Sequence, residues 1–205
     1  MKKKKWYDYL WILELLYLCL GICNILFAWL GMVFFTIPLM FAVFEGNKAY
    51  CNRFCGRGQL LNLLGTKLKL SRNTAPPKFL HSAWFRYGFL TFFMIMFGRM
   101  LFSTYKVFTG APLSQTVTLL WTFKLPWQWA DVQFVSPWIA QFAFGFFSVM
   151  LTSTILGLVT MVLFRPRSWC VYCPMGTMTQ GICKLKNGKK VKGCGGTGKK
   201  NCGTP

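Results

Sequence analysis

Four cysteines carry the first chemical signal in this chain, and they come in two pairs. Cys51 and Cys55 stand in Ala49-Tyr50-Cys51-Asn52-Arg53-Phe54-Cys55-Gly56-Arg57-Gly58, and Cys170 and Cys173 in Ser168-Trp169-Cys170-Val171-Tyr172-Cys173-Pro174-Met175-Gly176. Each pair is preceded by a basic residue, a small residue and an aromatic, and each has a glycine three places after its second cysteine. The stretches read as one element used twice. Together they offer four thiolates, the number that a tetrahedral metal or an iron–sulfur cluster requires.

The neighbours of the cysteines suit thiolate ligation. Gly56, Gly58 and Gly176 let backbone amides approach a ligand and form an anion-binding concavity. Pro174 has no N–H and turns the chain away from Cys173. Arg53, Arg57 and Arg167 place positive charge beside a cluster that is net negative, which raises its reduction potential. Cys183 lies close enough in sequence to serve as a further ligand.

The elements that must position these residues are apolar. Of 205 residues 54% are hydrophobic and 14% charged, and mean hydropathy is +0.41, too little charge for a soluble domain of this size. Four acidic residues oppose 24 Lys and Arg. The basic residues fall in blocks beside apolar runs, the pattern of cytoplasmic loops in a membrane protein and not of a nucleic-acid surface. Nine cysteines in spans and basic loops point to ligation before a disulfide framework, because those loops face the reducing side.

From Leu10 to Phe44 the only charge is Glu14, and a straight helix of that length, roughly 50 Å, overshoots a hydrocarbon core of about 30 Å. A break near Trp29-Leu30-Gly31 is expected, giving spans over about 7–28 and 32–44. The loop that follows carries Lys48, Arg53, Arg57, Lys67, Lys69, Arg72 and Lys78, and therefore belongs inside. Within it, the apolar pattern from Leu60 to Leu70 predicts a short helix on the membrane surface. A third span is expected over about 84–103, then a tryptophan-rich outer loop, then a fourth span over about 138–164. If the second span continues as helix, Cys51 and Cys55 lie one turn apart on one side.

The expected fold is all-α: a polytopic membrane protein with about four transmembrane helices as two parallel two-helix repeats, N-in and C-in. The membrane domain covers 1–183, with cytoplasmic motifs at 48–60 and 167–183, and 184–205 is a basic Gly/Lys-rich tail expected to be disordered.

The span followed by Cys-x-x-x-Cys-Pro-x-Gly, with a basic residue and an aromatic ahead of it, resembles membrane-bound 4Fe-4S proteins of the NapH and NosR type. The resemblance runs from about Tyr7 to Cys183 and covers the membrane core, without the C-terminal ferredoxin module of that family. Gly56 stands where the family pattern has proline, and the second motif has a two-residue gap. The resemblance implies a multi-pass protein of the inner (cytoplasmic) membrane that passes electrons between a cytoplasmic donor and a membrane or outer-face acceptor. It implies partners of the ferredoxin-, flavin- or quinone-linked kind, and an electron-transfer subunit in preference to a stand-alone enzyme.

Two ligand schemes remain open. In one, Cys51, Cys55, Cys170 and Cys173 share one 4Fe-4S cluster, the preferred arrangement. In the other, Cys170, Cys173 and Cys183 hold a cluster with a fourth ligand from elsewhere, and two clusters are then possible. Glu45 and His81 are candidates for a proton or quinone site. Two other functions compete: a membrane thiol–disulfide oxidoreductase using Cys170 and Cys173, and a soft-metal transporter, to which Cys19 and Cys23 would contribute.

Overall fold

A computed structural model describes residues 9–45, 54–120, 122–126 and 135–193. Six long helices dominate. Helix α1 (Leu10–Cys23) ends where Asn24 adopts an extended conformation and its side chain accepts a hydrogen bond from the Leu26 N–H, 3.0 Å away. That bond caps a 3-10 turn, Ile25–Trp29, which runs straight into α2 (Leu30–Glu45). The break therefore lies at Asn24, not at Trp29-Leu30-Gly31 as the sequence suggested. Asparagine competes for backbone donors and so makes its own turn, whereas glycine at 31 is tolerated within the helix.

Helix α3 (Gly56–Lys67) starts at its cap residue Cys55, so the helix of the second span does not continue through Cys55. It begins four residues earlier than the apolar pattern indicated, and Leu60 and Leu61 are buried. After it come α4 (Lys78–His81), α5 (Ala83–Phe108), an antiparallel hairpin of β1 (Thr116–Leu119) and β2 (Phe123–Pro126), and α6 (Pro137–Leu163). Then follow α7 (Trp169–Tyr172) and α8 (Pro174–Gly193). Helix α8 thus extends ten residues into the stretch expected to be irregular.

Among the described residues three segments are long and apolar enough to cross a membrane: Ile25–Phe44, Ala83–Phe108 and Pro137–Leu163. The last two match the expected third and fourth spans closely, since long charge-free runs fix helices better than any other sequence signal. Helix α1 is apolar but has only 14 residues.

Helix α6 is the central mast. It opens with Pro137 at its first turn, where a missing N–H costs nothing, and it is buried along most of its length. Its polar residues are satisfied locally: the hydroxyls of Ser148, Thr152 and Thr154 donate to carbonyls one turn back. Phe144 and Phe147 pack with Ile25, Ala28 and Val117, joining α6 to the 3-10 turn and the hairpin at one end of the molecule. At the opposite end Met161 packs with Leu61, Trp169 and Tyr172. This second cluster ties α3, α6 and α7 together, and it brings the two cysteine-bearing segments to the same end of α6.

Candidate metal centre

Cys55 and Cys173 are built alike. Each sits in an extended backbone conformation directly before a helix, Cys55 before α3 and Cys173 before α8. Each carbonyl accepts the first helical hydrogen bond, from Gln59 N–H at 3.1 Å and from Thr177 N–H at 2.9 Å. Each sulfur accepts from the glycine three residues on: Gly58 N–H lies 3.5 Å from Cys55 Sγ, and Gly176 N–H donates to Cys173 in the same way. A serine or aspartate normally fills this capping position. Here a sulfur does, so two helix N-termini, with their unpaired N–H groups and positive dipole ends, face the site.

The pairs from the two halves of the chain meet at Gly58. A Cβ placed on this residue would stand 3.5 Å from Cys170 Sγ and 3.7 Å from Cys55 Sγ. Cys55, Cys170 and Cys173 all line one cavity of about 190 Å³, together with Arg57, Arg167, Trp169 and Gly176. Among the described residues no three ligand side chains converge on a single metal ion.

Charge and donors around the sulfurs favour an anionic occupant. Burial pushes the Cys173 thiol up, while the Gly176 N–H, the Arg57 cation, the Met175 N–H and the Trp169 indole N–H act against that rise. Arg57 is half-buried, its side chain 17% exposed, and the loss of solvent opposes its charge. The Glu14 carboxylate, and then the Cys173 and Cys55 sulfurs, outweigh that and leave it above its ordinary value. The Trp169 Nε1–H is buried and directed at the Cys173 sulfur, a weak acceptor that it meets only beyond ordinary hydrogen-bond geometry. A buried donor so weakly satisfied gains from a stronger acceptor. The sulfides of a thiolate-bound cluster would be such acceptors, so the residues present fit a 4Fe-4S group.

The other predicted residues fall as follows. Gly58 and Gly176 take the donor role expected of them. Gly56 also lines the cavity, and a Cβ there would come within 2.8 Å of the Leu10 carbonyl oxygen, so its lack of a side chain lets α3 approach α1. Arg57 and Arg167 line the cavity. Cys51 and Arg53 lie outside the described residues, as does the side chain of Glu45, the last residue of α2. His81 ends α4 in an exposed position and does not line the cavity. Cys183 is buried within α8 and disulfide-bonded, with its partner outside the described residues. It stands ten residues beyond Cys173, roughly 15 Å along the helix axis, and it does not line the cavity. Cys19 and Cys23 are free and exposed on α1, away from the cavity.

Sequence reasoning missed Glu14, Ser153 and the aromatic walls of the cavity. Arg57 Nε donates to Glu14 Oε1 at 2.8 Å, and its Nη1 donates to Ser153 Oγ. The one available signal was Glu14 itself, the only charge in a 35-residue apolar run. Beyond Glu14 the cavity passes between Phe34, Phe35 and Pro38 of α2 and Phe93 and Phe97 of α5. Pro38 has no N–H to give the Phe34 carbonyl, which loosens α2 at the cavity wall.

Two stretches of the chain, 27–73 and 144–192, each match the sequence profile of the 4Fe-4S binding domain family. Each stretch contains a long apolar helix, a cysteine pair and the helix that the second cysteine caps. Comparison with curated proteins and with solved structures finds no match. The doubled match and the thiol-lined cavity support an iron–sulfur binding protein whose cofactor is a 4Fe-4S cluster.

Proposed function

We propose that this protein is a membrane electron carrier, in which one 4Fe-4S cluster is held between two repeats of the chain by Cys51, Cys55, Cys170 and Cys173. The observation that carries this reading is the approach of Cys55 and Cys170, from opposite halves, to one glycine. When bound, the cluster supplies a one-electron redox couple. The protein's own residues surround it with N–H donors, which stabilise the more negative reduced form.

In this reading the repeats run parallel, with N- and C-termini inside, and the site lies at the cytoplasmic face of the inner membrane. The basic residues near that end, Lys67, Lys69, Arg72, Arg165 and Arg167, support the orientation. Four spans require α1 to cross as well. Its 14 residues reach about 21 Å, and the shortfall from about 30 Å is met by apolar flanks or local thinning of the bilayer. Exposed apolar side chains on α1, α2 and α5 then face lipid. The donor is a soluble ferredoxin- or flavin-linked protein on the basic face, and the apolar arm of the cavity suits a quinone-linked partner. Nucleic acid has no place in this scheme, since the basic residues flank spans.

The exposed, outward position of Cys19 and Cys23 takes away the main attraction of a soft-metal transporter. For a thiol–disulfide enzyme, charge places Cys170 and Cys173 on the reducing side. The deciding experiment is anaerobic purification followed by iron and sulfide analysis and electron paramagnetic resonance after dithionite. Brown protein with a signal on reduction is expected. Cys51→Ala and Cys170→Ala should lose the cluster, whereas Cys183→Ala should keep it. Colourless protein, or a full cluster in Cys51→Ala, overturns the shared site.

A further inference from the structure

Helix α1 brings a carboxylate to the edge of the thiol cavity. Glu14 is only 5% exposed, and its Oε1 lies 2.8 Å from both Nε and Nη2 of Arg57. The other face of the guanidinium meets Ser153 Oγ, and Nη2 lies 3.5 Å from the Met150 sulfur. Arg57 thus has Glu14 of α1 on one side, Ser153 and Met150 of α6 on another, and the sulfurs of Cys55 and Cys173 within electrostatic reach. Glu14 and Arg57 both line the cavity. A bare arginine so placed would be an uncompensated buried cation beside the thiols, an arrangement that is costly without a partner.

We propose that Glu14 is a positioning residue for the redox centre: it anchors the Arg57 guanidinium at the cavity wall and cancels most of its charge there, so that an ion pair and not a free cation sets the reduction potential. This rests on the cluster reading given above. Reduction adds one negative charge to the site, so its cost depends on the net charge of the wall. With Glu14 ionised and paired, the wall is nearly neutral. Removing the carboxylate exposes the full arginine charge to the reduced state and favours it. Removing the guanidinium leaves the carboxylate alone and disfavours it.

The test is a redox titration of purified, cluster-loaded protein, following the signal of the reduced form, in wild type, Glu14→Gln, Glu14→Asp, Arg57→Gln and the double variant Glu14→Gln/Arg57→Gln. Glu14→Gln should shift the equilibrium toward the reduced form by about tenfold, equivalent to about 59 mV upward for one electron. Glu14→Asp should stay near wild type, Arg57→Gln should shift the other way, and the double variant should return toward wild type, because the two opposite shifts offset each other. A wild-type potential in fully loaded Glu14→Gln, or a double variant that keeps the full Glu14→Gln shift, overturns the proposal. If Glu14→Gln accumulates without a cluster, the double variant decides. Recovery of the cluster supports pairing, because the unpaired charge is gone, and continued loss refutes it. A wild-type protein without any cluster would refute the proposed function instead.

Discussion

Cys55 and Cys170 come from opposite halves of the chain, yet both sulfurs reach to within 4 Å of where a side chain on Gly58 would begin. The space over this glycine is shared by two ligands. It is also the first turn of α3, whose N–H the glycine gives to Cys55.

Gly58→Ala separates cluster binding from folding. The contacts of the new methyl with the two sulfurs would be ordinary van der Waals contacts, and alanine stabilises a helix by about 1 kcal/mol over glycine. Cluster-free protein should therefore melt at the same temperature or higher. The methyl occupies the room between the ligands, however, and iron content should fall sharply. Full iron loading in this variant would show that the group binds elsewhere.

Trp169→Phe removes the indole N–H that faces Cys173 while keeping an aromatic ring in the cluster of Leu61, Met161 and Tyr172. Loss of a donor to thiolate or sulfide should lower the midpoint potential with iron content retained. An unchanged potential would mean that this N–H does not reach the cofactor.

The thiol of Cys173 gives the cluster-free protein a pH dependence. Burial raises it above the ordinary value of 9.0. The folded state therefore holds this proton more tightly than the unfolded chain does. Stability from this source is complete below that ordinary value and is lost as pH rises through the folded value. Thermal melts should fall across that alkaline window and flatten in Cys173→Ala. Alkylation of Cys173 should be slow at neutral pH and quicken only above the usual thiol range. Equal slopes in wild type and variant would remove this assignment.

Leu61→Ala should cost about 2–5 kcal/mol, as for a fully buried leucine, since Leu61 is 1% exposed where α3, α6 and α7 meet. Melting in detergent measures it. Because this cluster holds both cysteine segments, the variant should also lose iron faster to a chelator.

Much of the site was legible because duplication is visible in the letters. The offset from Cys55 to Gly58 repeats from Cys173 to Gly176, and the hydrogen bonds follow that offset. The long apolar helices Ala83–Phe108 and Pro137–Leu163 were legible because long apolar runs leave little choice. The break at Asn24 was not, since an asparagine that caps a turn looks in sequence like any polar residue in an apolar run. The partner of Glu14 was not either. A single charge in a span announces a cost but not which later residue meets it, and Arg57 stands among several arginines of equal promise. The packing role of Gly56 was hidden for a related reason: a glycine needed for close helix packing reads the same as one needed for ligand approach.

The two cysteine pairs differ in spacing, three residues between Cys51 and Cys55 and two between Cys170 and Cys173. Both helices, however, are numbered from the second cysteine of the pair, through its capping bond and the glycine that follows. The odd residue falls upstream of that origin, in the segment leading to the helix. Insertions or deletions there change how the first thiol arrives without shifting any helical register behind it. The second cysteine is thus the fixed reading frame of each half, and the first is the position at which the chain tolerates drift.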